Sequence, residues 1–299
     1  MNTEEFFQEI KAAFEVKLHF LSDKPEETVD STLKACWLAA SGQPKSAEDA
    51  IKHPLPQLNE KEVQILHQLL EQRLTGKPLA YITGRQSFMG IELLADKRAL
   101  IPRKETEILG KKALDLSFRV TAERPICRVM DICCGSGNLG LTVAHFNKKA
   151  VVKATDLSRE AVELTRDNIS LLSLQQSVSA EEGDLFSAFE NEECYQNTDL
   201  IICNPPYISS AKVTRLDVEI SGYEPSLAFD GGMFGTKILL KLMSEAPKFL
   251  RKGGWLIFEV GVGQGEFMLR LCEGTNSFCK TEYVQDSYGN IRVIVAERK

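Results

Sequence analysis

Arg128-Val-Met-Asp-Ile-Cys-Cys-Gly-Ser-Gly137 sets the architecture of the larger part of this chain. Arg128 to Ile132 reads as a short apolar strand, and Leu139 to His145 reads as a helix. Between them Gly135 and Gly137 let the backbone turn tightly and approach a ligand without a Cβ in the way. Outward from this unit the pattern repeats. Ala150 to Thr155 is a β-branched strand and Arg159 to Leu172 a helix; a third strand ends at Gly183-Asp184-Leu185-Phe186. Leu200 to Cys203 is a strand, Thr236 to Phe249 a helix, and Gly254 to Val260 a strand. Val284 to Asp286 and Ile291 to Glu297 are close enough to close the sheet as an antiparallel edge hairpin. Such alternation predicts an α/β fold with a mostly parallel sheet covered by helices on both faces.

Upstream, the periodicity is helical. Glu4 to Val16 places Phe6, Phe7, Ile10, Ala13 and Phe14 at helical spacing. Ser31 or Thr32 is the expected cap of a second helix through Trp37 and Ala40, ending before Gly42. Asn59 is the expected cap of Glu60 to Leu74, with Glu62 completing a capping box and Val63, Leu66, Leu70 and Leu74 forming one stripe. Two short apolar runs around a glycine turn in Pro78 to Leu94 suggest a β-hairpin. The expected organisation is a helical bundle over 1–77, a hairpin linker over 78–97 and the α/β domain over 98–299.

The 299 residues carry a formal charge of −6, and 1–98 and the remainder contribute −3 each. Neither part has the bulk positive field on which non-specific duplex binding relies, so no stable nucleic-acid partner is expected. The acidic start, Met1 to Phe7, lacks the basic end and apolar core of a signal peptide, and no apolar run approaches the ~18 residues of a membrane span. Eight cysteines without a Cys-x-x-Cys pair predict buried thiols rather than zinc ligands or a disulfide framework. A cytoplasmic monomer without metal or membrane association is the expectation.

Chemistry concentrates at the ends of the strands, where open α/β sheets bind their ligands. The spacing at Gly135 is not G-x-G-x-x-G, and no Gly-Lys-Ser/Thr follows, so this is not a P-loop and no pyrophosphate is demanded. Asp156 ends the next strand where a carboxylate can accept both ribose hydroxyls, although alone it could equally cap the following helix. Asp184 could accept from an adenine amino group while the Leu185 N–H meets a ring nitrogen.

The sharpest signal is Asp199-Leu-Ile-Ile-Cys-Asn-Pro-Pro-Tyr-Ile208. Two prolines fix φ and remove two N–H donors, leaving nearby carbonyls for a ligand. Asn204 offers an acceptor and a donor, and Tyr207 a flat aromatic face. The set suits a planar NH2-bearing group: two N–H bonds to the Asn204 side chain and the Pro205 carbonyl, with Tyr207 on the plane. The nitrogen lone pair is then left for an electrophile.

These residues resemble the class I S-adenosylmethionine-dependent methyltransferases that methylate amino groups. Over almost the whole chain the resemblance is to the HemK/PrmC family, N5-glutamine methyltransferases of peptide-chain release factors. Arg73-Leu-Thr-Gly-Lys-Pro-Leu-Ala-Tyr-Ile-Thr-Gly84 with Phe88, Leu100-Ile-Pro-Arg-Lys-Glu-Thr-Glu107, Tyr223-Glu-Pro225, and Leu250-x-x-Gly-Gly254 with Glu259 and Gln264 are similar to its blocks. The resemblance implies a Rossmann-like methyltransferase sheet, S-adenosylmethionine as cofactor and a release factor as protein substrate docked by the N-terminal bundle. It places Asp131, Cys133, Cys134, Gly135, Ser136 and Gly137 at the methionine end of the cofactor. Asp156 and Leu157 fall at the ribose, Asp184 and Leu185 at the adenine, and Asn204 against both ligands. Asn204, Pro205 and Tyr207 would carry catalysis, and with Pro206 they would bind the substrate glutamine. Thr106 and Glu107 lie in a block placed near the cofactor. Arg103 reads equally as an ion-pair residue. Family members usually have Gly where Cys133 stands, so a Cβ there demands a negative φ. Phe229 to Gly235 departs from the family's acidic wording, and residues 209–222 read as a flap over the substrate.

Other classes share parts of the pattern. DNA adenine methyltransferases use Asn-Pro-Pro-Tyr but flip their base and carry a large recognition insert, which this chain lacks. A ribosomal protein, a small amide or an amine are alternative acceptors. A non-catalytic scaffold would tolerate loss of the motif, which is intact.

Overall fold

The computed structural model describes residues 3–191, 193–214 and 217–299. The chain divides into two compact units. One comprises Met1–Lys97 with Ile101–Lys104 and Asp217–Glu224; the other holds Arg98–Leu100, Glu105–Leu216 and Pro225–Lys299.

The smaller unit is built from α1 (Thr3–Phe14), α2 (Val29–Ala40), α3 (Ala47–Ala50), α4 (Glu60–Leu74) and α5 (Leu79–Thr83), with the hairpin β1 (Arg85–Phe88) and β2 (Ile91–Leu94). Its core gathers Phe7, Ile10, Leu33, Trp37, Leu66 and Leu70. Trp37 donates its indole N–H to the Pro56 carbonyl at 2.8 Å, so its polar edge is satisfied inside the apolar packing. The α4 capping box forms as expected, between Asn59 and Glu62. The α2 cap is Thr28 rather than Ser31 or Thr32; Ser31 sits at the third helical position and closes a capping box back to Thr28. On α4 the stripe is broken at its end. Leu74 is exposed while Arg73 takes the inward position, held by Glu27 and Glu219. Pro78 to Ile82 is a helical turn rather than a strand, ended by Gly84 at φ +68°. The hairpin lies after it, and Met89 and Gly90 turn it with φ of +49° and +84°. Two positive φ values match the right-handed twist of the paired strands.

In the larger unit seven strands join in the order β5-β4-β3-β6-β7-β9-β8. They are β3 (Cys127–Ile132), β4 (Ala150–Asp156), β5 (Val178–Glu182), β6 (Thr198–Cys203), β7 (Leu250–Glu259), β8 (Phe278–Gln285) and β9 (Ile291–Arg298). The strands β3 to β7 are parallel, and β9 runs antiparallel to both β7 and β8. The expected mostly parallel sheet with an antiparallel edge is therefore present. Its helices are α6 (Glu107–Glu123), α7 (Asn138–Phe146), α8 (Arg159–Leu171), α9 (Ser210–Val213), α11 (Lys237–Phe249) and α12 (Gly265–Gly274); α10 (Val218–Ser221) belongs to the smaller unit. The helix α6 was not expected from the alternation, although Leu109, Ala113, Leu116 and Val120 recur at helical spacing and are all buried. The chain crosses from β3 to its neighbours in opposite directions, to β4 on one side and β6 on the other. That reversal is the switch point at which such sheets bind ligands. Among the described residues, no helix is long and apolar enough to cross a membrane.

Candidate active site

The loop after β3 is held open by its own backbone. Gly135 and Gly137 have φ of +56° and +81°, and a Cβ on Gly137 would meet Leu141 Cδ1 and Thr165 Cγ2 at 2.9 Å. Cys133 also lies at positive φ, +58°. The expectation of a negative φ there is thus overturned: the loop imposes a left-handed turn although this residue carries a Cβ. Cys134 points away from the opening, its thiol buried 3.5 Å from the Thr165 hydroxyl. Two residues not singled out in the sequence brace the loop from α8. Thr165 Oγ1 donates to Gly135 O at 2.9 Å, and Asn168 Nδ2 donates to Ser136 O at 3.0 Å.

Asp131 ends β3 fully buried, with Oδ2 accepting from the Gly140 N–H at 2.8 Å. Burial pushes its carboxyl up to about 7, against the pull of that N–H. Its Oδ1 and the Ser136 hydroxyl are buried without a hydrogen-bond partner. Buried polar atoms are normally paired, so these two, in a loop turned by two glycines, fit a polar ligand group. Asp156 ends β4 and does more than cap a helix. Its Oδ2 accepts from Gly135 N and its Oδ1 from Ser158 N, both at 2.9 Å. It is Ser158 that caps α8, accepting from Ala161 N. Burial raises the Asp156 carboxyl above its usual range. Leu157 beside it is exposed. Asp184 lies at the surface, ion-paired with Lys241 of α11 at 2.5 Å, whereas Leu185 turns its side chain into the core at φ +54°.

The motif after β6 is anchored at both ends. Asn204 Nδ2 donates to Thr106 Oγ1 at 3.3 Å. Pro205 is buried and Pro206 half-buried. A Cβ on Gly231 would come within 2.6 Å of the Pro206 carbonyl. The Tyr207 hydroxyl donates to Glu259 Oε1 at 2.9 Å and lies 3.4 Å from Glu105 Oε1. Its carbonyl accepts from Gln264 Nε2 at 2.9 Å, while Gln264 Oε1 accepts from Gly261 N. A Cβ on Gly235 would fall 2.1 Å from Tyr207 O, so only glycine fits there. Arg292 joins the carboxylates of Glu105 and Glu259. Tyr207 and Glu259 were singled out in the sequence and Glu105 lies in a quoted block, but Arg292 gave no signal, and nothing local joined positions 105, 207, 259 and 292 into one network.

The Pro-Arg-x-Glu-Thr-Glu block divides between the units. Glu105 and Thr106 reach the motif just described. Arg103 is an ion-pair residue, bound to Glu224 and Asp23 within the smaller unit. Glu224 also accepts the Ile101 N–H, which explains why the Tyr-Glu-Pro block accompanies this one. Part of the expected flap is fixed as well, since Glu219 of α10 pairs with Lys24 and Arg73; residues 215 and 216 lie outside the described residues.

A family model for the PrmC N-terminal domain matches residues 19–84, and one for the methyltransferase small domain matches residues 112–220. The release factor glutamine methyltransferase of Geobacter sulfurreducens is 34% identical over 237 residues, covering 79% of each chain. The Bacillus cereus protein of the same name is 31% identical over 81% of this chain and 83% of its own. The chain belongs to the release factor glutamine methyltransferase family. Among solved structures, the hMettl16 catalytic domain in complex with the MAT2A 3′UTR hairpin 6 superimposes with a TM-score of 0.50 at 12% identity, over 77% of this chain and 91% of that one. That similarity shows the methyltransferase fold alone.

Proposed function

We infer that this protein transfers a methyl group from S-adenosylmethionine to the side-chain amide nitrogen of the glutamine in the Gly-Gly-Gln motif of a peptide-chain release factor. The observation that carries the reading is the side-by-side placement of two loops, after β3 and β6, on neighbouring strands at the switch point. One holds orphaned polar atoms under a glycine turn. The other presents an amide acceptor behind two prolines. The sulfonium supplies an electrophilic methyl. Asp131, Cys133, Gly135, Ser136 and Gly137 would hold its methionine end, Asp156 with Leu157 the ribose, and Asp184 with Leu185 the adenine.

An amide nitrogen is a poor nucleophile because its lone pair is delocalised. Acceptors at the Asn204 side chain and the Pro205 carbonyl favour a pyramidal nitrogen and stabilise the positive charge that develops on it. Pro206 stiffens the loop, and Tyr207, fixed through its hydroxyl, offers the ring face that borders the amide. No proton need leave before transfer, because the methylated amide is strongly acidic. Positioning and electrostatics then carry the rate. Residues 1–77 would dock the release factor.

The test uses tritiated S-adenosylmethionine with a release factor, the same factor with Gln→Ala in Gly-Gly-Gln, and duplex DNA. Label on the intact factor alone is the expected result. Label on DNA, or equal label on the Gln→Ala factor, overturns the substrate.

A further inference from the structure

Glu259 ends β7 with 1% of its surface exposed, and the acceptor motif hangs on it through Tyr207. Its Oε1 accepts the Tyr207 hydroxyl at 2.9 Å, while its Oε2 is buried without a hydrogen-bond partner. Thr106 Oγ1 accepts from Asn204 Nδ2 at 3.3 Å. The Asn204 amide is held with its NH2 toward Thr106, which leaves the carbonyl end for a substrate NH2.

Glu105 competes for the same phenol. Its Oε1 is 3.4 Å from the Tyr207 hydroxyl, and its Oε2 is 3.0 Å from Arg292 Nη1. One guanidinium thus serves two carboxylates. Without Glu259 the phenol proton has Glu105 as its alternative acceptor. We propose that Glu259 is the positioning residue of the acceptor motif, holding Tyr207 through its hydroxyl. The proposal rests on the amide-methylation reading.

The groups facing Glu259 are Arg292 from β9, Glu105 and Thr106 from the turn before α6, and Tyr207 from the loop after β6. Burial pushes its carboxyl up to about 7, with Arg292 opposing and Glu105 adding to the rise. Once protonated, the carboxyl is a weaker acceptor for the Tyr207 hydroxyl, so turnover falls on the acid side.

The experiment measures methylation of a release factor by the full-length chain across the pH range, for wild type, Glu259→Gln and Glu259→Ala. Cofactor affinity by calorimetry and amide exchange over residues 204–208 accompany it. Glu259→Ala should lower kcat by about 100-fold, the order expected for misplacement by an ångström, and leave cofactor affinity within about threefold. Glu259→Gln, which keeps shape and folding, should lose the acid limb of the wild-type kcat profile. A kcat within about twofold of wild type for Glu259→Ala, with only its Tm lowered, would overturn the proposal. So would an acid limb that persists in Glu259→Gln. If wild type binds cofactor but leaves the release factor unlabelled, the substrate reading fails and the exchange arm decides alone. Faster exchange confined to Tyr207 and Ile208 in Glu259→Ala supports positioning; a uniform rise across the sheet overturns it.

Discussion

At the scale of single residues, two features at the end of β3 and in the loop after it oppose stability. Cys133 occupies a left-handed turn at φ +58°, which costs a residue with a Cβ about 1–2 kcal/mol. Cys133→Gly should therefore raise the free energy of unfolding by about 1 kcal/mol, less than the full strain because glycine loses more freedom on folding; urea denaturation checks it. Asp131 is the second. Its folded carboxyl is raised to about 7 by burial, while the unfolded group titrates near 4. Between those values the folded state binds the extra proton, so stability falls as pH rises through that window and is flat above it. Asp131→Asn keeps an acceptor for Gly140 N–H and removes the buried charge. It should be more stable than wild type at pH 8 by on the order of 2 kcal/mol and indistinguishable at pH 4, while binding cofactor more weakly. Equal Tm differences at both pH values would contradict this. For Asn204 the expected effect is kinetic. Asn204→Ala should lower kcat by about 100-fold or more and change cofactor affinity far less; cofactor affinity collapsing with kcat intact would show that its role had been misassigned.

At the scale of elements, capping and ion pairing decide what pattern alone leaves open. Asn59 and Glu62 were legible because a capping box is a local spacing, satisfied within four residues. Thr28 was not, because three hydroxyl-bearing residues crowd that helix start and only the fold shows which one adopts extended backbone. Asp131, Asp156 and Asn204 were legible because each ends an apolar strand. Arg73 facing inward on α4 was not, since its partners Glu27 and Glu219 lie 46 and 146 positions away. The short helix α10 shows what such a long-range pair does. Glu219 meets Lys24 at 2.6 Å and Arg73 at 2.9 Å, with both basic side chains 2–3% exposed. Glu219→Ala leaves two buried cations, Lys24 and Arg73, to share Glu27 and should cost about 3–5 kcal/mol. Replacing Lys24 and Glu219 together by Met and Leu should cost much less, which chemical denaturation of the two variants checks.

At the scale of the whole molecule, the sequence divides into consecutive stretches but the compact units do not. The larger unit surrenders Ile101–Lys104 and Asp217–Glu224 to the smaller one. Composition and periodicity register neighbours along the chain, so the change from helical to alternating pattern near Arg98 was visible and the returning segment was not. Tyr223-Glu-Pro225 was legible as a family block, yet its reason is Glu224, which neutralises Arg103 inside the smaller unit. The interleaving has a measurable consequence for Lys24, which is ion-paired with Glu219 on the returning segment. In the full chain Lys24→Met removes one of two cations from a buried carboxylate, and the loss should be about 2–3 kcal/mol, below the cost of leaving that carboxylate with none. In a fragment of residues 1–97 the returning segment is missing. There the lysine faces no Glu219 and shares Glu27 with Arg73, so a methionine of similar length removes one of two cations from a single carboxylate. Lys24→Met should then be neutral or stabilising in the fragment while destabilising the intact protein. Denaturation of the four species measures both differences, and an equal cost in the two backgrounds would show that the smaller unit does not depend on residues 217–224 for its charge balance.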